Sequence, residues 1–133
     1  EIVEHVGQGF VELVENGILD GPQAEETVRK SLRPLLDAGA DRIVLGCTHY
    51  PFLRNVIQRI AGPDVQIIDP APAVAKHLIE VMKEEGLLSS DDVASTGSVP
   101  HPDIELVTSG DNTSAKRILS MVLEENKVRQ GKQ

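Results

Sequence analysis

The chain has few aromatic residues and little cysteine: among its 133 residues there is no tryptophan, one tyrosine, two phenylalanines and a single cysteine. A core with so few rings must be built mainly from aliphatic side chains. One cysteine cannot form an internal disulfide, so a reducing, cytoplasmic environment is expected. No apolar run is long enough to predict a membrane span, and none has the pattern of a signal peptide.

Positive charge is also scarce, since 13 lysines and arginines stand against 21 aspartates and glutamates. The formal net charge is −8 and the sequence pI is near 4.9. Nucleic acids and anionic membranes are bound through basic faces, so neither is an expected partner. His5, His77 and His101 are scattered and bring no second pair of ligands at zinc spacing, so no metal site is predicted.

The length suits one domain with a core, although it is small for a complete α/β enzyme. The chain begins at Glu1 without a methionine and enters an apolar segment at once. We interpret this beginning as that of an excised or incomplete piece.

Apolar residues alternate between strand and helix patterns along the chain. Strands are predicted over residues 1–6, 43–45, 65–69 and 104–108. Helices are predicted over residues 10–16, 21–39, 51–62, 70–86 and 115–122, with a polar loop over 87–103. Pro34 is expected to kink the second helix or to end its regular part early. Alternating strands and helices build parallel sheets, so the predicted fold class is α/β with a parallel sheet.

Residues 41–51 place reactive side chains directly after an apolar run. Ile43–Leu45 has the pattern of a buried strand that is covered on both faces. In open α/β sheets ligands lie beyond the carboxyl ends of the strands, where Cys47, Thr48 and His49 follow. A free thiol titrates near ~8.5, so a modest downward shift would give a base at neutral pH.

Each of these residues also has a structural interpretation. Cys47 would be a small buried hydrophobe, Thr48 a helix-capping hydroxyl, and His49 a loop histidine that bonds the backbone. Glu15, near the end of the first predicted helix, would be an exposed helix-end carboxylate.

The segment Leu45–Pro51, with the sequence Leu-Gly-Cys-Thr-His-Tyr-Pro, resembles the second signature of the aspartate/glutamate racemases. Its end, His-Tyr-Pro, resembles the glutamate branch most closely. Residues 10–17, 67–69 and 108–111 also resemble glutamate racemase segments, in the family's order. The resemblance covers most of this chain but only the C-terminal half of the enzyme.

The resemblance implies a two-lobed enzyme with its active site between the lobes. Residues 1–74 would form part of the second lobe and carry the Cys47 motif, while residues 75–133 would return to the first lobe. The first lobe is then largely absent, and the racemase-like α/β fold is incomplete without the N-terminal half. That missing half and a second copy of the enzyme, in a homodimer, are the expected protein partners.

The resemblance also implies racemisation of glutamate without a cofactor, by two thiols on opposite faces of the α-carbon. Cys47 matches the thiol that acts on the L-enantiomer, and the other thiol would lie in the missing half with an assisting aspartate. His49 matches a residue that assists this thiol and contacts substrate, and Thr48 matches one that binds substrate. Glu15 matches an acidic residue that tunes activity. The product, D-glutamate, would supply bacterial peptidoglycan.

Three alternatives stay open at this point. The substrate of the racemase would be aspartate or another amino acid, or the chain would be a non-catalytic domain that uses its acidic surface for protein contacts. A thiol hydrolase built on Cys47 and His49 is the third, although no nucleophile elbow is recognisable.

Overall fold

The computed structural model describes residues 2–88, 105–110 and 112–130, with side chains described as far as residue 123. These ranges hold five α-helices, two strands and a 3-10 helix. In chain order they are α1 (Phe10–Glu15), α2 (Pro22–Asp37), β1 (Arg42–Val44), the 3-10 helix (Tyr50–Leu53), α3 (Arg54–Ala61), β2 (Gln66–Ile68), α4 (Ala71–Glu84) and α5 (Asn112–Gln130).

The two strands form a parallel pair. Arg42 is in register with Gln66 and Val44 with Ile68, and the N–H of Leu45 extends the ladder by donating to the carbonyl of Ile68 at 2.9 Å. Parallel neighbours need a crossover connection, which α3 supplies between them. The predicted α/β class with a parallel sheet is therefore confirmed.

The core is almost entirely aliphatic, as the shortage of rings predicted. The helix α2 packs on α3, α3 packs on β2, and α1 packs on the 3-10 helix. The buried apolar side chains are Phe10, Leu13, Val14, Ala24, Val28, Leu32, Ile43, Leu45, Leu53, Val56, Ile57 and Ile67.

The prediction that the strand at residues 43–45 is covered on both faces is wrong for the described residues. Ile43 and Leu45 are buried, whereas Val44 between them is 61% exposed. Successive side chains of a strand point to opposite faces of the sheet, so one face of β1 meets the core and the other is open.

Two predicted strands are also wrong. Residues 2–6 and Glu105–Thr108 have no regular structure, and Ile104 lies outside the described residues. A strand needs a neighbour that exchanges backbone hydrogen bonds with it, and in the described ranges only β1 and β2 provide such a pair.

Proline positions bring two smaller corrections. The helix α2 continues through Pro34 to Asp37, so its regular part does not end early. Pro51 lies in the 3-10 helix and not in the first turn of α3, which begins at Arg54.

The contacts between residues divide the chain into two compact units. The first consists of residues 1–69 and 108–133, and the second consists of residues 70–107. In the first unit α5 packs on α1. In the second, α4 has no buried residue, and its predicted apolar stripe is exposed at Val74, Leu78 and Val81. The lobe boundary at residue 74 stays a prediction, and most of the predicted loop 87–103 lies outside the described residues. No helix in the described part of the chain is both long and apolar enough to cross a membrane.

Candidate active site

The candidate site begins where β1 leaves the sheet. After the last ladder bond at Leu45, the chain passes through Gly46, and a turn forms in which the N–H of Tyr50 donates to the carbonyl of Cys47 at 3.2 Å. This turn leads directly into the 3-10 helix, with His49 at its N-terminal boundary. The motif therefore lies between β1, whose Ile43 packs in the core, and the 3-10 helix, whose Leu53 is fully buried, at the carboxyl end of the strand as predicted.

Cys47 and His49 face each other across the turn. The Sγ atom of Cys47 lies 3.9 Å from Nδ1 of His49, and Oγ1 of Thr48 lies 3.5 Å from the same nitrogen. The thiol is partly buried, whereas Thr48 is exposed. Because two side chains share Nδ1, the tautomer of His49 decides whether that nitrogen donates or accepts.

Glu15 faces the other side of the imidazole. Its Oε1 lies 3.5 Å from Nε2 of His49, with the histidine side chain 25% exposed and the glutamate 48% exposed. This separation is longer than an ordinary hydrogen bond, and Nε2 is buried without a hydrogen-bond partner in the described structure. The contact is therefore an electrostatic one, which becomes an ion pair when His49 is protonated.

Glu15 reaches His49 because α1 is fixed on the 3-10 helix. The rings of Phe10 and Tyr50 meet edge to face at 5.1 Å, and the N–H of Gly7 donates to the phenol oxygen of Tyr50 at 3.2 Å. A Cβ on Gly7 would come within 2.7 Å of the Phe10 ring, so the close approach requires glycine. Sequence reasoning gave Tyr50 no role of its own, although its position one residue after His49 indicates that it can help to hold the site.

Arg117 holds the other end of α1. This α5 residue donates a hydrogen bond from Nη1 to the backbone carbonyl of Glu15, across a sequence separation of 102 residues. Nothing in the local sequence pattern predicts a contact at that distance along the chain.

The structure thus brings all four predicted site residues together in one row of functional groups. A carboxylate, an imidazole and a thiol follow one another, with a hydroxyl beside the imidazole. A thiol next to an imidazole can release and take up a proton, and a carboxylate favours the charged imidazole. In the described residues no three His, Cys, Asp or Glu side chains group in a way that would hold a metal ion.

The residues that form this arrangement lie within a match to a known family. The family model described as Asp/Glu/Hydantoin racemase matches residues 5–78, which include both strands and every candidate site residue. The chain belongs to the Asp/Glu/hydantoin racemase family.

Its curated relatives carry a narrower name. A glutamate racemase from Roseiflexus sp. (strain RS-1) is 48% identical over 87 residues, which make up 65% of this chain and 32% of that protein. A glutamate racemase from Desulforudis audaxviator is 36% identical over 123 residues, or 92% of this chain and 45% of the relative. The chain therefore spans 32% of the first relative and 45% of the second.

Solved glutamate racemases share its fold. The enzyme from Francisella tularensis in complex with D-glutamate is 33% identical, with a TM-score of 0.57 over 62% of this chain and 30% of that one. The enzyme from Thermus thermophilus in complex with beta-chloro-D-alanine is 36% identical, with a TM-score of 0.57 over 65% of this chain and 33% of that one.

Proposed function

We propose that this chain is part of an enzyme that interconverts L- and D-glutamate by proton transfer at the α-carbon. The observation that carries the proposal is the contact of 3.9 Å between the Sγ atom of Cys47 and Nδ1 of His49 at the end of β1. Several relatives bear the name glutamate racemase, and the Francisella structure holds D-glutamate, which supports glutamate over aspartate as the substrate.

The reaction needs two acid/base groups on opposite faces of the α-carbon. The thiolate of Cys47 takes the α-proton of L-glutamate, so a C–H bond breaks and an S–H bond forms. A second thiol on the opposite face then gives its proton to the carbanion, which yields D-glutamate and a thiolate on that side. In the reverse direction each group exchanges its role. This chain has one cysteine, so the second thiol must come from outside it.

His49 supports the thiolate in this scheme. A protonated imidazole beside Cys47 stabilises the negative sulfur, and the carboxylate of Glu15 on its far side favours the protonated form. The hydroxyl of Thr48 would bind the amino acid, because it is exposed and lies beside the imidazole of His49. We place the enzyme in the cytoplasm of a bacterium, where it would act without a cofactor and as a homodimer to supply D-glutamate for peptidoglycan.

Two fixed groups explain how such a reaction becomes fast. The α-proton of an amino acid is weakly acidic, and holding the carbon between oriented groups replaces an unfavourable encounter in solution. Well-oriented intramolecular reactions gain roughly 7–11 kcal/mol in this way. A general acid or base at each face contributes a further factor of about 10²–10⁴ in rate.

The proposal is tested by solvent deuterium exchange in a chimera in which this chain replaces the matching segment of the Roseiflexus relative. Cys47→Ser should abolish turnover, because a serine hydroxyl is too weak an acid to form its anion near neutral pH. The variant should lose deuterium uptake into L-glutamate more than into D-glutamate, since Cys47 is assigned to the L face. Thr48→Ser, which keeps its hydroxyl, serves as the matched control.

Equal loss of exchange from both enantiomers would remove the stereochemical assignment. Normal racemisation by the Cys47→Ser chimera would remove the catalytic one. An acyl adduct on Cys47 after incubation with esters, detected by mass spectrometry, would favour the thiol hydrolase instead.

A further inference from the structure

Arg117 contacts the C-terminal end of α1 at Glu15, the residue whose side chain faces His49. Its guanidinium donates to the backbone carbonyl of Glu15, and the carboxylate of the same Glu15 lies 3.5 Å from Nε2 of His49. A Cβ on Gly17 would lie 3.2 Å from Cδ of Arg117, so the arginine stem also rests on the turn that follows α1.

The carbonyl of Glu15 is a group that needs such a donor. The last carbonyls of a helix have no partner within the helix, and that end carries a partial negative charge. At this end, backbone N–H groups bond the carbonyls of Glu12, Leu13 and Val14, whereas Arg117 bonds that of Glu15. A charged guanidinium on a carbonyl makes a stronger, better oriented bond than a neutral donor.

The side chain of Glu15 has little else to fix it. It is 48% exposed, and its carboxylate lies just beyond hydrogen-bond distance of a buried nitrogen that has no hydrogen-bond partner in the described structure. A small displacement of the α1 end therefore either makes or loses the contact with His49. Fixing the backbone of Glu15 decides which of these occurs.

We propose that Arg117 is a positioning residue of the site: it fixes the end of α1 so that Glu15 stays against His49, and through His49 it sets the reactivity of the Cys47 thiol. The proposal rests on the proposed function, because it assumes that His49 supports a thiolate at Cys47. It adds a residue from α5 that acts through the backbone of Glu15 and lies far from the motif in sequence.

The single cysteine of the chain makes the test direct. The rate at which iodoacetamide alkylates Cys47 in the 133-residue chain at pH 7, followed by mass spectrometry, reports the thiolate. Arg117→Met keeps the apolar stem but removes the donor, and it should slow alkylation by ~3-fold or more because the imidazolium loses its carboxylate partner. Arg117→Lys, which restores a charged donor, should stay within roughly 2-fold of the unchanged chain.

Two further variants separate positioning from simple loss of charge or packing. Lys116→Ala removes the same charge from the neighbouring exposed position of α5, and it should stay within roughly 2-fold of the unchanged chain. Glu15→Gln should slow alkylation as Arg117→Met does, and the double variant should be no slower than Glu15→Gln alone, since both changes act through one contact.

The positioning role would be overturned if Arg117→Met were alkylated as fast as Lys116→Ala while Glu15→Gln was alkylated slowly. The proposed function would still stand in that case. A faster rate for Arg117→Met would also overturn the positioning role, because that result means a loosened, more accessible thiol. Unchanged rates in both Glu15→Gln and His49→Asn would instead contradict the support of Cys47 by His49 in the proposed function. If circular dichroism shows that Arg117→Met loses helix, Arg117→Leu, which also lacks a donor, is judged by the same criteria.

Discussion

His49 connects the groups on either side of it. Nδ1 faces Cys47 and Thr48, while Nε2 faces Glu15, so the imidazole can pass the effect of a carboxylate on to a thiol. An imidazole is suited to this place because it has two ring nitrogens on opposite sides, each of which can donate or accept a hydrogen bond. The side chain is mostly buried between these neighbours, with 25% of it exposed.

His49→Asn should therefore lower activity and leave stability almost unchanged. Asparagine keeps the size and hydrogen-bonding capacity of the side chain but cannot carry a proton at neutral pH. Turnover of the chimera should fall by at least ~100-fold, while the free energy of unfolding should change by less than about 1 kcal/mol. Chemical denaturation and a racemisation assay measure the two quantities. A large loss of stability with normal specific activity would make His49 a structural residue.

The sequence predicted the reactive residues of the site better than the residues that hold them in place. Cys47, Thr48 and His49 are consecutive, so one turn at the end of a strand is enough to gather them. Glu15 was found only through the family resemblance, because its contact with His49 depends on how α1 packs on the 3-10 helix. Arg117 depends on the packing of α5 on α1 and has no local signal.

At the scale of elements, the unit β1–α3–β2 with α2 packed on α3 forms the platform of the site. The helices were predicted because their apolar residues repeat at helical spacing, which is a local property. The strands over residues 1–6 and 104–108 were predicted wrongly, because pairing is not local and alternation alone provides no partner. The prediction that Val44 is covered was wrong for a similar reason, because an apolar run in the sequence does not identify the element that would pack on it.

Ile57→Ala should destabilise this platform strongly. Ile57 is fully buried in α3, so truncation leaves a cavity in the core and should cost about 2–5 kcal/mol of unfolding free energy. Val44→Ala is the matched control, because Val44 is apolar and 61% exposed, and its change should stay within about 0.5 kcal/mol. Urea denaturation of the 133-residue chain measures both, and equal effects would contradict the assignment of the core to one face of β1.

The segment between α1 and α2 is tied to α3 by an exposed charge cluster. Arg59 donates hydrogen bonds to Asp20 and, at 2.8 Å, to Glu25. The hydrogen bond from Arg59, and after it the one from the N–H of Gly21, lowers the pKa of Asp20 below its ordinary value of 3.8. The same hydrogen bond to Asp20 raises the pKa of Arg59. A carboxyl whose pKa is lower in the folded state stabilises the fold at every pH above its pKa in the unfolded chain. This contribution is lost as the pH falls through the pKa of the folded state.

Asp20→Asn should consequently lower the melting temperature at pH 7 by a small amount. The difference from the unchanged chain should shrink as the pH falls below 3.8 and the Asp20 carboxyl becomes protonated. It should also shrink in high salt, because both partners are exposed. Asp64→Asn removes the same charge from the exposed turn before β2 and should have the smaller effect at pH 7. A difference that is constant in pH and salt would contradict the role of the ion pair.

At the scale of the whole molecule, the proposed function gives this chain one side of a two-sided reaction. It spans 32% and 45% of the length of the two curated relatives described above, and one face of β1 is open in the described residues. An open site orients substrate from one wall only and admits water, so it loses most of the gain from fixed geometry. We propose that Cys47 is one of two opposed proton-transfer groups and that the second comes from outside this chain.

Complementation measures that claim most directly. The 133-residue chain, the remaining segment of the Roseiflexus relative, and their mixture are each assayed for conversion of both glutamate enantiomers by circular dichroism. We expect no conversion by either piece alone, conversion by the mixture, and none when the chain carries Cys47→Ser. Robust racemisation by the isolated chain, or complementation by its Cys47→Ser variant, would contradict the assignment of Cys47 as one of two opposed thiols.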